Sequence, residues 1–259
     1  MKRLLILLIM SILILVAGCS SFDNYSAAGS ISLDPAITNV PSDVVITEIP
    51  AHAGVDFDEK NDDTNYLILV NLDHPIYKEP PVVLICDYLT ASDVFCDVRR
   101  HANKTAVRAL NNMMLAAEKD GDFHFVIASG FRYIYEQEQL WNERQKKEPG
   151  YGNDPYNNPI KVMPTNCSEH ITGLAFDILC RDCPHSDISF AELPEGQWLA
   201  ENAHKYGFIL RYPKDKQHIT GVQYEPWHFR YVGKDAAEYI YNHSLCLEEY
   251  LGKLPKQSN

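Results

Sequence analysis

Three short segments of this chain gather polar side chains beside glycines and apolar runs. In Ser168-Glu169-His170-Ile171-Thr172-Gly173-Leu174-Ala175-Phe176-Asp177, a histidine and an aspartate flank a glycine. Asp177 lies inside the apolar run 174–179, where a carboxylate is costly to bury unless it is paired or holds a metal. A turn at Gly173 would bring His170 back beside it, so the two could share a metal ion or simply hydrogen-bond to each other. Glu225-Pro226-Trp227-His228 supplies a second pair. The residue before a proline is pushed out of helical geometry, and residues three apart in a regular strand face opposite sides. A bend at Pro226 is what could let Glu225 and His228 converge. The third segment, Ser129-Gly130-Phe131-Arg132, lies between an apolar run and a helical pattern. Arg132 there either faces a ligand at a strand's exit or is an exposed arginine at a helix start. Together the segments offer His170, Asp177 and His228 as ligands, with Glu225 and Arg132 to spare. Three protein ligands, an open position for water and a base are what a catalytic zinc needs.

Such a set needs a scaffold to hold it. Apolar runs at 66–70, 123–128, 174–179, 208–212 and 229–232 read as strands. Residues 103–119 place Val107, Leu110, Met114 and Ala117 at helical spacing, with Gly121 to end the helix. Residues 133–147 read as a helix with a charged outer face. A helix over 195–206 starts after Pro194 and stops at Gly207, and 234–243 closes the pattern. There is no internal repeat and no regular βαβ alternation. The expected class is therefore α+β, in one domain spanning 64–259.

With the elements in place, the motifs resemble those of a known family. Ser-x-His-x-x-Gly-x-Ala-x-Asp followed by Glu-Pro-Trp-His is similar to the VanY-type D-alanyl-D-alanine carboxypeptidases, zinc peptidases of bacterial cell walls. The likeness runs through Tyr206-Gly207-Phe208-Ile209-Leu210-Arg211-Tyr212-Pro213, Ile219-Thr220-Gly221 and Tyr231-Val232-Gly233, and takes in Leu69-Val70-Asn71 and Ser129-Gly130-Phe131-Arg132. It implies His170, Asp177 and His228 as ligands of one Zn2+ and Glu225 as the catalytic base. It implies Arg132 as the group that steadies the scissile carbonyl oxygen, and Ser168 as a substrate contact. The implied fold is the compact type shared with the Hedgehog signalling domain, a small antiparallel sheet with flanking helices. The implied reaction removes the terminal D-alanine of peptidoglycan stem peptides, Glu225 taking a proton from water and passing it to the leaving amine. An L,D-carboxypeptidase, a D-Ala-D-Ala dipeptidase and a non-catalytic zinc-containing wall-binding module are the alternatives on this scaffold. A purely structural zinc would need neither Glu225 nor Arg132. One stretch departs from the family pattern: Met163-Pro164-Thr165-Asn166-Cys167 replaces the usual Pro-Gly approach to Ser168, after a polar loop over 149–159, and Ile171 stands where glutamine is usual. That loop is expected to border the substrate cleft.

The rest of the chain supplies an address. Its 259 residues are 46% hydrophobic and 22% charged, as in a globular protein, with a net charge of −12. That balance argues against a nucleic-acid partner. Lys2 and Arg3 precede an apolar run of 15 residues, 4–18, broken by Ser11. The run is shorter than the roughly 20 residues of a membrane-spanning helix, and Val16-Ala17-Gly18-Cys19 resembles a lipobox. The expectation is a signal peptide (1–18), an acylated Cys19, a tether (19–63) and an extracytoplasmic, membrane-anchored monomer; an uncleaved anchor is the alternative. Outside the cytoplasm, the even six left after Cys19 (Cys86, Cys96, Cys167, Cys180, Cys183 and Cys246) suggest disulfides, with Cys86–Cys96 as first pairing and a bridge at Cys167 bracing the loop before Ser168. Cys180-x-x-Cys183 with His185 looks like half of a structural zinc site without its other half. His101, His124, His204, His218 and His243 read as surface or packing residues, and Tyr212, Tyr224 and Tyr231 as core residues flanking the motifs.

Overall fold

The computed structural model describes residues 65–182 and 184–253. The expected signal peptide, Cys19, the tether and Cys183 lie outside the described residues. The chain first lays down β1 (Val83–Leu84), β2 (Val94–Cys96) and β3 (His101–Ala102), with β1 and β3 pairing antiparallel. Helix α1 (Lys104–Asp120) starts at Asn103, whose side chain accepts hydrogen bonds from the N–H groups of Thr105 and Ala106. Its apolar stripe of Val107, Leu110, Met113, Met114 and Ala117 enters the same core as Phe125, Ile127, Phe176 and Ile178. There follow β4 (Phe125–Ser129), α2 (Ile134–Lys147), β5 (Ala175–Cys180) and α3 (Pro194–Asn202), the last extended by a 3-10 turn to Tyr206. The chain ends with β6 (Phe208–Leu210), α4 (Gln217–Thr220), β7 (His228–Tyr231), α5 (Lys234–Asn242) and α6 (Leu247–Lys253). This is an α+β arrangement, and none of the helices among the described residues is long and apolar enough to cross a membrane.

Five strands form the main sheet in the order β2-β4-β5-β7-β6, antiparallel apart from the edge pair β2–β4. Its register does functional positioning. Asp177 on β5 stands opposite His228 on β7 and, across the other edge, opposite Ser129 on β4, where the ladder shifts by a bulge. Directly opposed residues share a face of the sheet, their Cβ atoms roughly 5 Å apart.

Two expectations fail here. The apolar run 66–70 is not a strand: the carbonyls of Tyr66 and Ile68 accept hydrogen bonds from the Arg230 guanidinium at 2.9 and 2.7 Å. A buried side chain does for them what a neighbouring strand would. The Cys86–Cys96 bridge is not formed either, nor one at Cys167: Cys86, Cys96, Cys167 and Cys246 are free thiols. The Cys96 thiol lies 3.5 Å from the carbonyl of Asp97, and burial pushes the thiols of Cys96 and Cys246 up to about 12, away from the thiolate that disulfide exchange requires.

The deepest polar feature is a buried ion network. Glu169 Oε1 accepts from Arg211 Nε and from Arg230 Nη1, both at 2.7 Å, and all three side chains are sealed from solvent. Arg211 also forks onto Glu248 of α6 at 2.7 and 2.9 Å, and Asn71 donates to the same carboxylate. Two acids and two bases balance within the core. Burial alone would raise the Glu169 carboxyl, but the two guanidinium groups outweigh it and hold it well below its ordinary value. Removing one member strands charge without solvent, which costs about 3–5 kcal/mol. Arg211→Met should therefore lower stability by about that amount in a urea titration, and a loss below 1 kcal/mol would show the network to be dispensable.

Candidate metal and catalytic site

Each expected ligand is delivered by a different device. His170 sits in a 3-10 turn, Glu169–Thr172, that ends on Gly173 at φ +70°, a left-handed conformation suited to glycine. His170 Nδ1 donates to the carbonyl of Gly130 at 2.7 Å, and the Arg132 N–H returns a bond to the His170 carbonyl at 3.1 Å. Gly130 permits this clamp, since a Cβ there would meet the His101 carbonyl oxygen at 2.5 Å. Asp177 comes from the middle of the sheet and His228 from the strand beside it. The Glu225-Pro226-Trp227-His228 bend closes when the His228 N–H donates to the Glu225 carbonyl at 3.1 Å, which brings Glu225 Oε2 to 3.8 Å from His228 Nδ1. The convergence expected at Pro226 is present.

The donor set fits a zinc ion. One ligand atom from each of His170, Asp177 and His228 lies within 4.8 Å of the others, the one such trio among the described residues. A backbone carbonyl only accepts, so His170 Nδ1 carries the proton and a neutral ring bares the lone pair of Nε2. That nitrogen faces Asp177 Oδ2 at 3.3 Å, and His228 Nδ1 faces Asp177 Oδ1 at 3.0 Å. Two acceptors at 3.3 Å repel unless a cation lies between them. Ligands on a tetrahedral zinc, with arms of about 2.0–2.1 Å, stand about 3.3–3.4 Å apart.

The trio lines a cleft of about 240 Å³ together with Arg132, Ser168 and Glu225, so all six site residues named from the sequence meet in one place. Glu225 is buried, and burial pushes its carboxyl up to about 8 against the pull of His228. Asp177 goes the other way: burial would raise it, but His170 and His228 hold it well below its ordinary value. Burial lowers His170, whereas His228, with Asp177 and Glu169 outweighing burial, is raised to about 9. Two carboxylates in one cleft thus differ widely in proton affinity. Arg132 is held by Gln137 Oε1 at 2.7 Å, and Gln137 in turn donates to the Met163 carbonyl. The histidines read as packing residues stay out of the cleft: His204 stacks on Tyr241, His243 on Tyr239, and His124 lies by Asp93 and Asp122. Tyr212 is buried against the His228 ring, with centroids 4.8 Å apart.

Sequence reasoning missed the layer behind the ligands. Glu169 Oε2 faces His228 Nε2 at 3.8 Å, and neither atom has a hydrogen-bond partner. The ring's other nitrogen is thereby left for Asp177's side of the site. The missed signal was Arg211 and Arg230, two cations at the heart of apolar strand segments, as costly to bury unpaired as Asp177. Gln137 and Lys161 carried no such signal.

The comparisons with known proteins agree with this geometry. The family model VanY, D-alanyl-D-alanine carboxypeptidase, matches residues 99–234. YodJ of Bacillus subtilis (strain 168) is 39% identical over 202 residues, covering 74% of this chain and 69% of the relative. Among solved structures, the LD-carboxypeptidase LdcB is 35% identical with a TM-score of 0.63, covering 74% of this chain and 87% of that one. A Zn(II) complex of the D,D-pentapeptidase VanY from a VanB-type vancomycin-resistance cassette is 34% identical with a TM-score of 0.57, covering 73% and 99%. The motifs, the sheet register and these matches coincide, and the chain belongs to the VanY family of D-alanyl-D-alanine carboxypeptidases.

Proposed function

We propose that this chain is a zinc-dependent D,D-carboxypeptidase that removes the terminal D-alanine from peptidoglycan stem peptides. The observation that carries the reading is the single cleft in which the His170, Asp177 and His228 trio meets a buried carboxylate, Glu225, and a tethered cation, Arg132. In this reading His170 Nε2, an Asp177 oxygen and His228 Nδ1 hold the zinc. When bound, zinc polarises the scissile carbonyl and acidifies a water. Glu225 accepts the proton at its carboxylate and delivers it to the leaving amine nitrogen. Its burial makes that first transfer favourable, because a desolvated carboxylate binds a proton more tightly. Arg132, fixed by Gln137, presents N–H groups to the oxygen on which charge develops. Ser168, buried at the start of the 3-10 turn, offers its hydroxyl to the peptide.

The substrate lies in the cell wall, so the enzyme acts outside the cytoplasm. The proposal extends to the N-terminal residues: signal peptide 1–18, lipid on Cys19, tether 19–63, and a catalytic domain 64–259 acting as a monomer. A second reading, L,D-carboxypeptidase activity, is favoured by the likeness to LdcB.

Two experiments test these statements. Glu225→Gln should retain zinc and lose roughly 10²-fold or more in kcat; turnover near that of the wild type removes Glu225 from the role of base. Mass analysis of defined stems should show the pentapeptide losing one alanine while the tetrapeptide stays intact. Cleavage of the tetrapeptide instead would replace the D,D reading with the L,D one.

A further inference from the structure

The cleft contains a cation that the reaction above does not use. Lys161 lies between the polar loop over 149–159 and the Met163–Cys167 stretch that departs from the family pattern, and it lines the cleft beside Val162 and Met163. It is exposed, yet pinned on both sides. Its ammonium lies 4.6 Å from the centroid of the Trp227 ring, which is buried, and donates to the Ser186 carbonyl at 2.6 Å. An ammonium has three donors, so two remain. Trp227 lies between Glu225 and His228 in the bend, so Lys161 rests on the segment of the cleft lining that carries both.

We propose that Lys161 is a specificity-determining residue that docks the free α-carboxylate of the departing C-terminal residue. The inference rests on the carboxypeptidase reading and adds the feature that would restrict it to chain ends. A terminal carboxylate entering this cleft meets Glu225 and Asp177, both acids, in a protein of net charge −12. It needs a compensating cation, and Arg132 is engaged with the carbonyl oxygen at the other end of the scissile unit. One Cα separates the leaving nitrogen from the terminal carboxylate, a span of about 2.5 Å set by the N–Cα and Cα–C bonds. The cation must therefore stand on the side where Glu225 returns the proton. Lys161 lines the same cleft as Glu225 and packs on the ring of Trp227, two residues after Glu225 in the bend.

The test compares a D-Ala-D-Ala-terminated pentapeptide as free acid and as C-terminal amide. The wild type should prefer the acid. Lys161→Gln should raise KM for the acid with kcat little changed, and cut the acid-over-amide preference by about 10- to 100-fold, the usual weight of a hydrogen bond to a charged group. Lys161→Arg should keep most of the preference. An effect exerted only through Glu225 would slow both peptides alike and leave their ratio unchanged. An unchanged ratio in Lys161→Gln overturns the inference, whereas a wild type that cleaves neither peptide overturns the D,D-carboxypeptidase reading itself.

Discussion

The carboxylate of Glu169 is the point on which the structure turns. It is sealed in the core with one oxygen shared by Arg211 and Arg230 and the other turned to the ring of His228. A buried charge in this position is tolerable only while its partners are in place. Those partners come from every part of the fold: Arg211 follows β6, Arg230 lies on β7, Glu248 belongs to α6, and Arg230 reaches back to the carbonyls of residues 66 and 68. The network closes the N-terminal segment and the last helix onto the sheet. It also sets the residue next to His170, so the ligand turn cannot shift without disturbing the core charges.

From that anchor the site is built outward by sheet register. Asp177 and His228 are opposed on neighbouring strands, and the His170 turn is clamped by its ring Nδ1 donating to the Gly130 carbonyl and by the Arg132 N–H donating to the His170 carbonyl. The residues proposed for catalysis therefore sit on rigid elements, while the polar loop over 149–159 leads into Lys161 at the rim of the cleft.

Much of this was legible in the sequence, for a physical reason. A carboxylate inside an apolar run, a glycine turn after a histidine and a proline bend before another are local signals of cost, and all of them marked the site. Helix α1 was legible because its apolar stripe has helical period and Gly121 follows its end. The 66–70 run was misread because its carbonyls are satisfied by a side chain 160 or more residues away, which no local pattern records. The short strands β1, β2 and β3 are two or three residues long and carry too little periodicity to be seen. The cysteine count pointed to bridges, but pairing depends on where thiols face, and Cys86 and Cys96 are turned toward neighbouring oxygens. Lys161 became visible only when its loop folded against Trp227.

The central claim is that the buried Glu169 carboxylate, facing His228 Nε2 at 3.8 Å, orients the ring so that its Nδ1 is left to form the zinc site with His170 and Asp177. Chelator competition for zinc in Glu169→Gln, with circular dichroism to confirm folding, measures this without turnover. Loss of an outer partner of a metal-bound histidine typically weakens binding by about 10- to 100-fold, and the account predicts a loss of that size in a folded protein. Zinc affinity equal to that of the wild type would contradict it.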